Sequence, residues 1–275
     1  MSENSWSSGK EICPLPPYFG LLAVDAKDST RLPSVRHATL SRSITDLIHR
    51  GLERAGLGEM IRQFESNTGD GLAFGFDPSW LPRVISPFAD VLDSILQRHN
   101  AGPGPRIRLR MSIHVGPVPV SPGLPGDGNA APRSETHRLL DCSAARRGLA
   151  ESGEDGTSLV VIVSDAVHSA VVVGGYCAVP SSRFIEVRAE VPGKDFAQTA
   201  WMYVPSPSGG LLRRPTAQTA SANEPKVGTD KAAPTGPRPI HARVQNVESG
   251  VAVMDSTLRD VHQRGVPRPG RDRRS

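Results

Sequence analysis

Over the first 205 residues the hydrophobic positions fall into short blocks of two different periods. Tyr18 to Val24 (YFGLLAV) is an unbroken apolar run that stops at Asp25, the pattern of a buried strand delivering a carboxylate at its C-terminal end. From about Ser34 the spacing lengthens. Leu40, Ile44, Leu47, Ile48 and Leu52 recur on one face of an amphipathic helix, which Gly56 or Gly58 ends. Ile61 to Phe64 and Leu72 to Phe76 read as two strands flanking Ser66-Asn67-Thr68-Gly69-Asp70-Gly71, and the Asp-Gly step predicts a hairpin with Asp70 at its tip. A second helix is predicted from near Ser79 to His99, with Pro82 tolerated in its first turn and Pro87 as a kink.

Ile107, Leu109, Met111 and Ile113 alternate with Arg106, Arg108, Arg110, Ser112 and His114, which predicts a half-buried strand with one core face and one basic, solvated face. A loop rich in Pro and Gly follows from Gly116 to Pro132. It leads to a helix carrying Leu139 and Leu140, extended or restarted through Leu149. Leu159 to Val163 is a buried strand, Asp165 caps a short helix to about Val173, and Phe184 to Val187 with Thr199 to Val204 form a closing strand pair. This order predicts an α+β fold: a ferredoxin-like or palm-type antiparallel sheet with helices packed on it.

Beyond Pro205 both periods disappear. Ser, Pro, Thr, Ala, Arg and Lys dominate, so a disordered linker is expected over 206–239 and a basic, disordered tail over 264–275. Between them, 240–263 regains valine at roughly every second or third residue, as a small β-hairpin-like segment does. Two strands alone are marginally stable, so this piece is expected to dock on a protein partner or on a second copy. Residues 1–16 read as a flexible N-terminus, leaving 17–205 as the folded domain.

The pI of 9.2 points toward nucleic acid until the charge is divided along the chain. From Ser206 onward there are 12 basic and 6 acidic residues, leaving 20 basic against 22 acidic before it, so the folded part is nearly neutral. Nucleic acid is not the expected partner, because no aromatic residues interleave Arg106, Arg108 and Arg110 for base stacking. No apolar run approaches bilayer length and no secretory leader is readable, which with three scattered cysteines (Cys13, Cys142, Cys177) predicts a cytoplasmic protein with reduced thiols.

The candidate chemistry lies in two carboxylates. If the first strand and the hairpin are neighbours, Asp25 and Asp70 lie side by side, and a divalent cation between them relieves their repulsion. Mg²⁺ held by two carboxylates keeps positions open for phosphate oxygens. His114, on the polar face of the Arg-rich strand, reads as exposed or at an interface.

The segments FGLLAVDAKDST, NTGDGLAFGF, IRLRMSIHVGPV and HRLLD resemble the catalytic domain of class III nucleotidyl (adenylate/guanylate) cyclases, and more closely the divergent cyclase-homology domains common in actinobacteria, over about residues 17–204. The resemblance implies Mg²⁺ or Mn²⁺ held by Asp25 and Asp70 with help from the Ala26 carbonyl, a nucleoside triphosphate substrate, and a head-to-tail homodimer. It further implies Arg138 as the transition-state arginine, supplied by the opposite protomer, and Arg188 as a contact to the triphosphate. Thr30 falls in the phosphate-binding stretch after the first aspartate, where Asp28 adds a negative charge and Ser29 departs from the family pattern. Ser66 stands at the purine-selecting position and Ser134 where the family places a ribose-orienting asparagine. Two functions follow: a Mg²⁺-dependent nucleotide-binding and cyclising domain in intracellular signalling, or a non-catalytic regulatory protein that keeps the fold for dimerisation, nucleotide sensing or partner docking.

Overall fold

The computed structural model describes residues 13–27, 34–67, 69–124, 126–153 and 155–209. Thr30, the linker beyond Gly209, the 240–263 segment and the terminal tail lie outside them.

Seven strands form one sheet: β1 (Tyr18–Ala26), β2 (Gln63–Asn67), β3 (Gly71–Phe76), β4 (Leu109–Pro117), β5 (Leu159–Ser164), β6 (Ile185–Glu190) and β7 (Ala197–Tyr203). Their order is β2-β3-β1-β4-β5-β7-β6. Every neighbouring pair is antiparallel except β4 with β5. The α+β class is as expected, and the sheet is mixed because β4 reaches β5 through a crossover containing two helices, α4 (Ala131–Asp141) and α5 (Ser143–Glu151).

On one face, Leu22, Val24, Phe74, Phe76, Leu109, Met111, Ile113, Val161 and Val163 pack in a single core with α1 (Ser34–Arg54), α2 (Leu81–Ile85) and α3 (Phe88–Asn100). Gly51 of α1 stands where a Cβ would lie 3.1 Å from the Phe88 ring, so a small residue lets α1 and α3 approach. The opposite face packs Ala23 and Ala73 against Leu140, and Ile162 and Ala200 against Leu139 and Ala145. Successive side chains of a strand alternate between faces, so Asp25 falls with Leu21 and Ala23 on the α4 side.

Several expectations are corrected in detail. The 79–99 helix is two helices, because Pro87 has no N–H and holds Ser86 in the extended region (φ −153°, ψ 125°) between α2 and α3. The turn glycine of the hairpin is Gly69, at φ +88°; Gly71 has another task, described below. Ile61 is exposed and β2 begins two residues later, with a register shift between Gln63 and Ser66. At that bulge Phe64 adopts φ 54° and lays its ring 5.3 Å from Phe19, edge to face. Gly75 and Gly128 make room for the ring: a Cβ at either would come within 3.0 or 2.5 Å of it. Ser164, not Asp165, caps α6 (Asp165–Val167), its hydroxyl accepting from the Val167 N–H at 3.4 Å.

The largest correction concerns β4, which is a central strand covered on both faces rather than a half-solvated one. Arg108 and His114 are each 7% exposed. Arg108 donates to the carbonyls of Thr157 (2.9 Å) and Leu149 (2.7 Å) and to the Ser152 hydroxyl (2.6 Å), tying the end of α5 to the start of β5. His114 Nε2 lies 3.2 Å from Glu135, and burial pushes its pKa down despite that carboxylate.

Candidate metal and nucleotide site

Asp25 is the penultimate residue of β1, opposite Gly71 on β3 and Arg110 on β4. The Ala26 N–H donates to the Asp70 carbonyl at 2.9 Å, so Asp25 and Asp70 occupy the same end of neighbouring strands. Gly71 permits this approach. A Cβ at residue 71 would sit 2.0 Å from the Val24 carbonyl oxygen and 3.0 Å from Asp25 Cα.

The Asp25 carboxylate, 19% exposed, accepts a two-pronged pair of hydrogen bonds from Arg110: Nε to Oδ1 at 2.9 Å, and Nη2 to Oδ2. Burial nevertheless pushes its pKa up to about 6. Arg110 pulls the other way, and the charges of Asp141 and Asp70 add to the rise. The rise is therefore chiefly the cost of burying the charge, which the Arg110 guanidinium offsets only in part.

A measurable consequence follows. The Asp25 carboxyl is expected to titrate near pH 6 rather than at its ordinary 3.8, which side-chain carbon NMR will read. Because the folded value lies above the unfolded one, the contribution to stability is fully present below pH 3.8 and is lost as pH rises through 6. A midpoint near 4 would show that Arg110 dominates.

These residues suit Mg²⁺ or Mn²⁺. The donors are hard oxygens, and a cation offsets the cost of holding an ionised carboxylate that is only 19% exposed. Among the described residues no group of three or more His, Cys, Asp or Glu side chains could hold a metal. The two aspartates would then be completed by the Ala26 carbonyl, water and phosphate oxygens, the usual habit of Mg²⁺.

Two participants escaped the sequence reading. Arg110 was placed on a basic face without a partner, since nothing local says that β4 lies against β1. Asp141, the last residue of α4, belongs to the HRLLD segment but acquires meaning only when the end of α4 comes close enough for its charge to be felt at Asp25. Asp141 also accepts from Arg146 at 2.7 Å.

The remaining candidates are spread out. Ser66 on β2 accepts from Arg133 Nη2 at 3.2 Å, and the same nitrogen donates to the Phe64 carbonyl at 3.1 Å. Ser134 is exposed on the first turn of α4. Arg138 rests its guanidinium over the Phe196 ring, 5.7 Å from the centroid, in the connection between β6 and β7. Arg188 lies on edge strand β6, four strand spacings or roughly 19 Å from β1. Ala189 and Ala200 pack on the α4 side, so Arg188 projects from the opposite face, where it pairs with Glu190 at 3.6 Å. Strand order thus places Arg188 far from Asp25, while Arg138 is engaged at Phe196.

No protein-family model and no curated protein sequence matches this chain. Among solved structures, it is similar to an adenylate/guanylate cyclase/hydrolase from Silicibacter pomeroyi, at 22% identity and TM-score 0.46 over 69% of this chain and 97% of that one. It is also similar to the catalytic core of a rhodopsin-guanylyl cyclase with converted specificity, in complex with ATPalphaS, at 15% identity and TM-score 0.43 over 68% and 96%. A third is the monomeric guanylyl cyclase domain of a RhoGC fusion protein from the aquatic fungus Blastocladiella emersonii, at 12% identity and TM-score 0.41 over 67% and 93%. All three are nucleotidyl cyclase proteins. Their TM-scores lie below 0.5, so the functional reading rests on this chain's own residues. No helix among the described residues is long and apolar enough to cross a membrane.

Proposed function

We propose that residues 17–205 form a divergent class III nucleotidyl cyclase-type domain that binds a nucleoside triphosphate with Mg²⁺ or Mn²⁺ and cyclises it in cytoplasmic signalling. The observation that carries this reading is the juxtaposition of Asp25 and Asp70 at one end of β1 and β3, with the Asp25 carboxyl buried enough for its pKa to rise to about 6. Asp25, Asp70 and the Ala26 carbonyl would hold the cation, whose chemistry is to lower the pKa of the ribose hydroxyl and to neutralise the leaving pyrophosphate. The ribose 3′-oxygen attacks the α-phosphorus, its bond to phosphorus forms as the bond to pyrophosphate breaks, and the hydroxyl proton passes to water. Within its own chain Arg138 is engaged over the Phe196 ring. In a head-to-tail homodimer the Arg138 of a second copy supplies the positive charge that the transition state needs.

The test is incubation of the purified chain with each nucleoside triphosphate and Mg²⁺ or Mn²⁺, with products separated by chromatography. Asp25→Ala and Asp70→Ala are each expected to lower cyclic nucleotide formation by at least about 100-fold. Product formed equally by both variants overturns the assignment. A second reading, a non-catalytic domain that senses nucleotide or dimerises, has one observation behind it: the Ser66 hydroxyl is already engaged by Arg133. Metal-dependent nucleotide affinity without product would identify that sensor, and absence of both would leave a scaffold.

A further inference from the structure

Arg110 and Asp25 are 85 residues apart in sequence and meet because β1 and β4 are hydrogen-bonded neighbours with these two residues in register. Strand alternation puts both on the α4 face: Leu109, Met111 and Ile113 point into the α1–α3 core, while Ser112 donates to the Thr136 carbonyl of α4 at 2.8 Å. The guanidinium is only 12% exposed and Asp25 only 19%, so neither charge is well hydrated in the other's absence. The fork takes one donor to each carboxylate oxygen, and those are the two oxygens through which Asp25 would ligate a cation. A divalent ion and a guanidinium compete for them, because their positive charges would stand within a few ångströms in a poorly hydrated site.

We propose that Arg110 is a built-in counterion for Asp25, displaced when a divalent cation binds, so that metal loading and release of this arginine are one coupled event. The inference rests on the metal assignment above and adds to it a determinant of metal affinity within the chain. Arg110 is a positioning residue in this role: it keeps Asp25 ionised and aimed while the cation is absent, and it sets the threshold concentration for loading. Lysine carries the same charge as a single point and cannot occupy both oxygens, so it should hold Asp25 less firmly.

The experiment measures Mn²⁺ binding to the full chain by electron paramagnetic resonance, without nucleotide and independently of activity. Arg110→Met is expected to bind Mn²⁺ at least about tenfold more tightly than the wild type, and Arg110→Lys to fall between them. Asp25→Asn removes the site in every background. In the wild type, the Arg110 side-chain nitrogen resonances are expected to shift or broaden on titration with Mg²⁺, a readout that needs no variant to fold. Equal Mn²⁺ affinity in wild type and Arg110→Met, each abolished by Asp25→Asn, overturns the counterion role and leaves the metal assignment standing. Arg110 resonances that do not move on saturation with Mg²⁺ overturn it likewise. Absence of Asp25-dependent Mn²⁺ binding in both proteins removes the metal assignment and this inference together.

Discussion

Gly71→Ala is expected to lower the unfolding free energy by at least about 4 kcal/mol, or to prevent folding altogether. The new methyl would lie 2.0 Å from the Val24 carbonyl oxygen, an atom of rigid backbone that no rotamer change removes. Relief requires β1 and β3, two interior strands of the sheet, to separate where Asp25 meets Gly71. Gly69→Ala is the informative comparison two residues away. That position has open space around it but a φ of +88°, so its cost is confined to the left-handed conformation, about 1–2 kcal/mol. Denaturant unfolding of both variants separates the two causes. If Gly71→Ala proves no more damaging than Gly69→Ala, the close approach of the strands is not what glycine 71 provides. Where Gly71→Ala still folds, it is expected to shift Asp70 relative to Asp25 and to weaken Mn²⁺ binding.

Arg108→Met is expected to cost about 3 kcal/mol or more. The guanidinium is buried in the fold and satisfies the Leu149 and Thr157 carbonyls and the Ser152 hydroxyl across a gap between α5 and β5. Methionine fills much of the same volume but donates nothing, so the Thr157 carbonyl loses the arginine's hydrogen bond and the Leu149 carbonyl keeps only the Ser152 hydroxyl. Arg108→Lys is expected to recover little, because a single ammonium cannot span acceptors placed for a planar fork. Urea midpoints at constant slope will measure it. A loss under 1 kcal/mol for Arg108→Met would mean that water replaces the arginine at these carbonyls, which would make this end of β4 wet instead of dry. The contrast with Arg110, two residues further on and inside β4, is instructive. Arg108 holds backbone together, whereas Arg110 faces a carboxylate that the proposed chemistry needs.

The local devices were legible because each is written within a few residues. The i, i+4, i+7 spacing in α1 marks its buried face, and the unbroken apolar run ending in Asp25 is β1. The break at Pro87 follows from a missing N–H and a clash with the residue before it. Asp25 and Asp70 were legible as a pair for a similar reason: one ends an apolar run and the other follows a turn, so antiparallel pairing of those strands brings both to one end of the sheet. Phe64 at φ 54° was not legible, since no local preference puts a bulky aromatic residue there. The Phe19 contact and the two glycines that admit its ring come from distant segments.

β4 shows where a local pattern misleads. Alternation of Arg with Ile, Leu and Met describes a strand with one dry and one wet face, yet the chain folds two further helices over the supposedly wet face and buries Arg108 and His114. Hydrophobic periodicity reports which side chains avoid water, and a buried charge with enough hydrogen-bond partners avoids it as well. The residues alone supplied the elements, their class and two carboxylates at strand ends. That Asp25 faces Arg110, that Asp141 adds its charge there, and that Arg188 lies strands away depend on sheet order. Sheet order is set by packing between segments scores of residues apart, and no local preference encodes it.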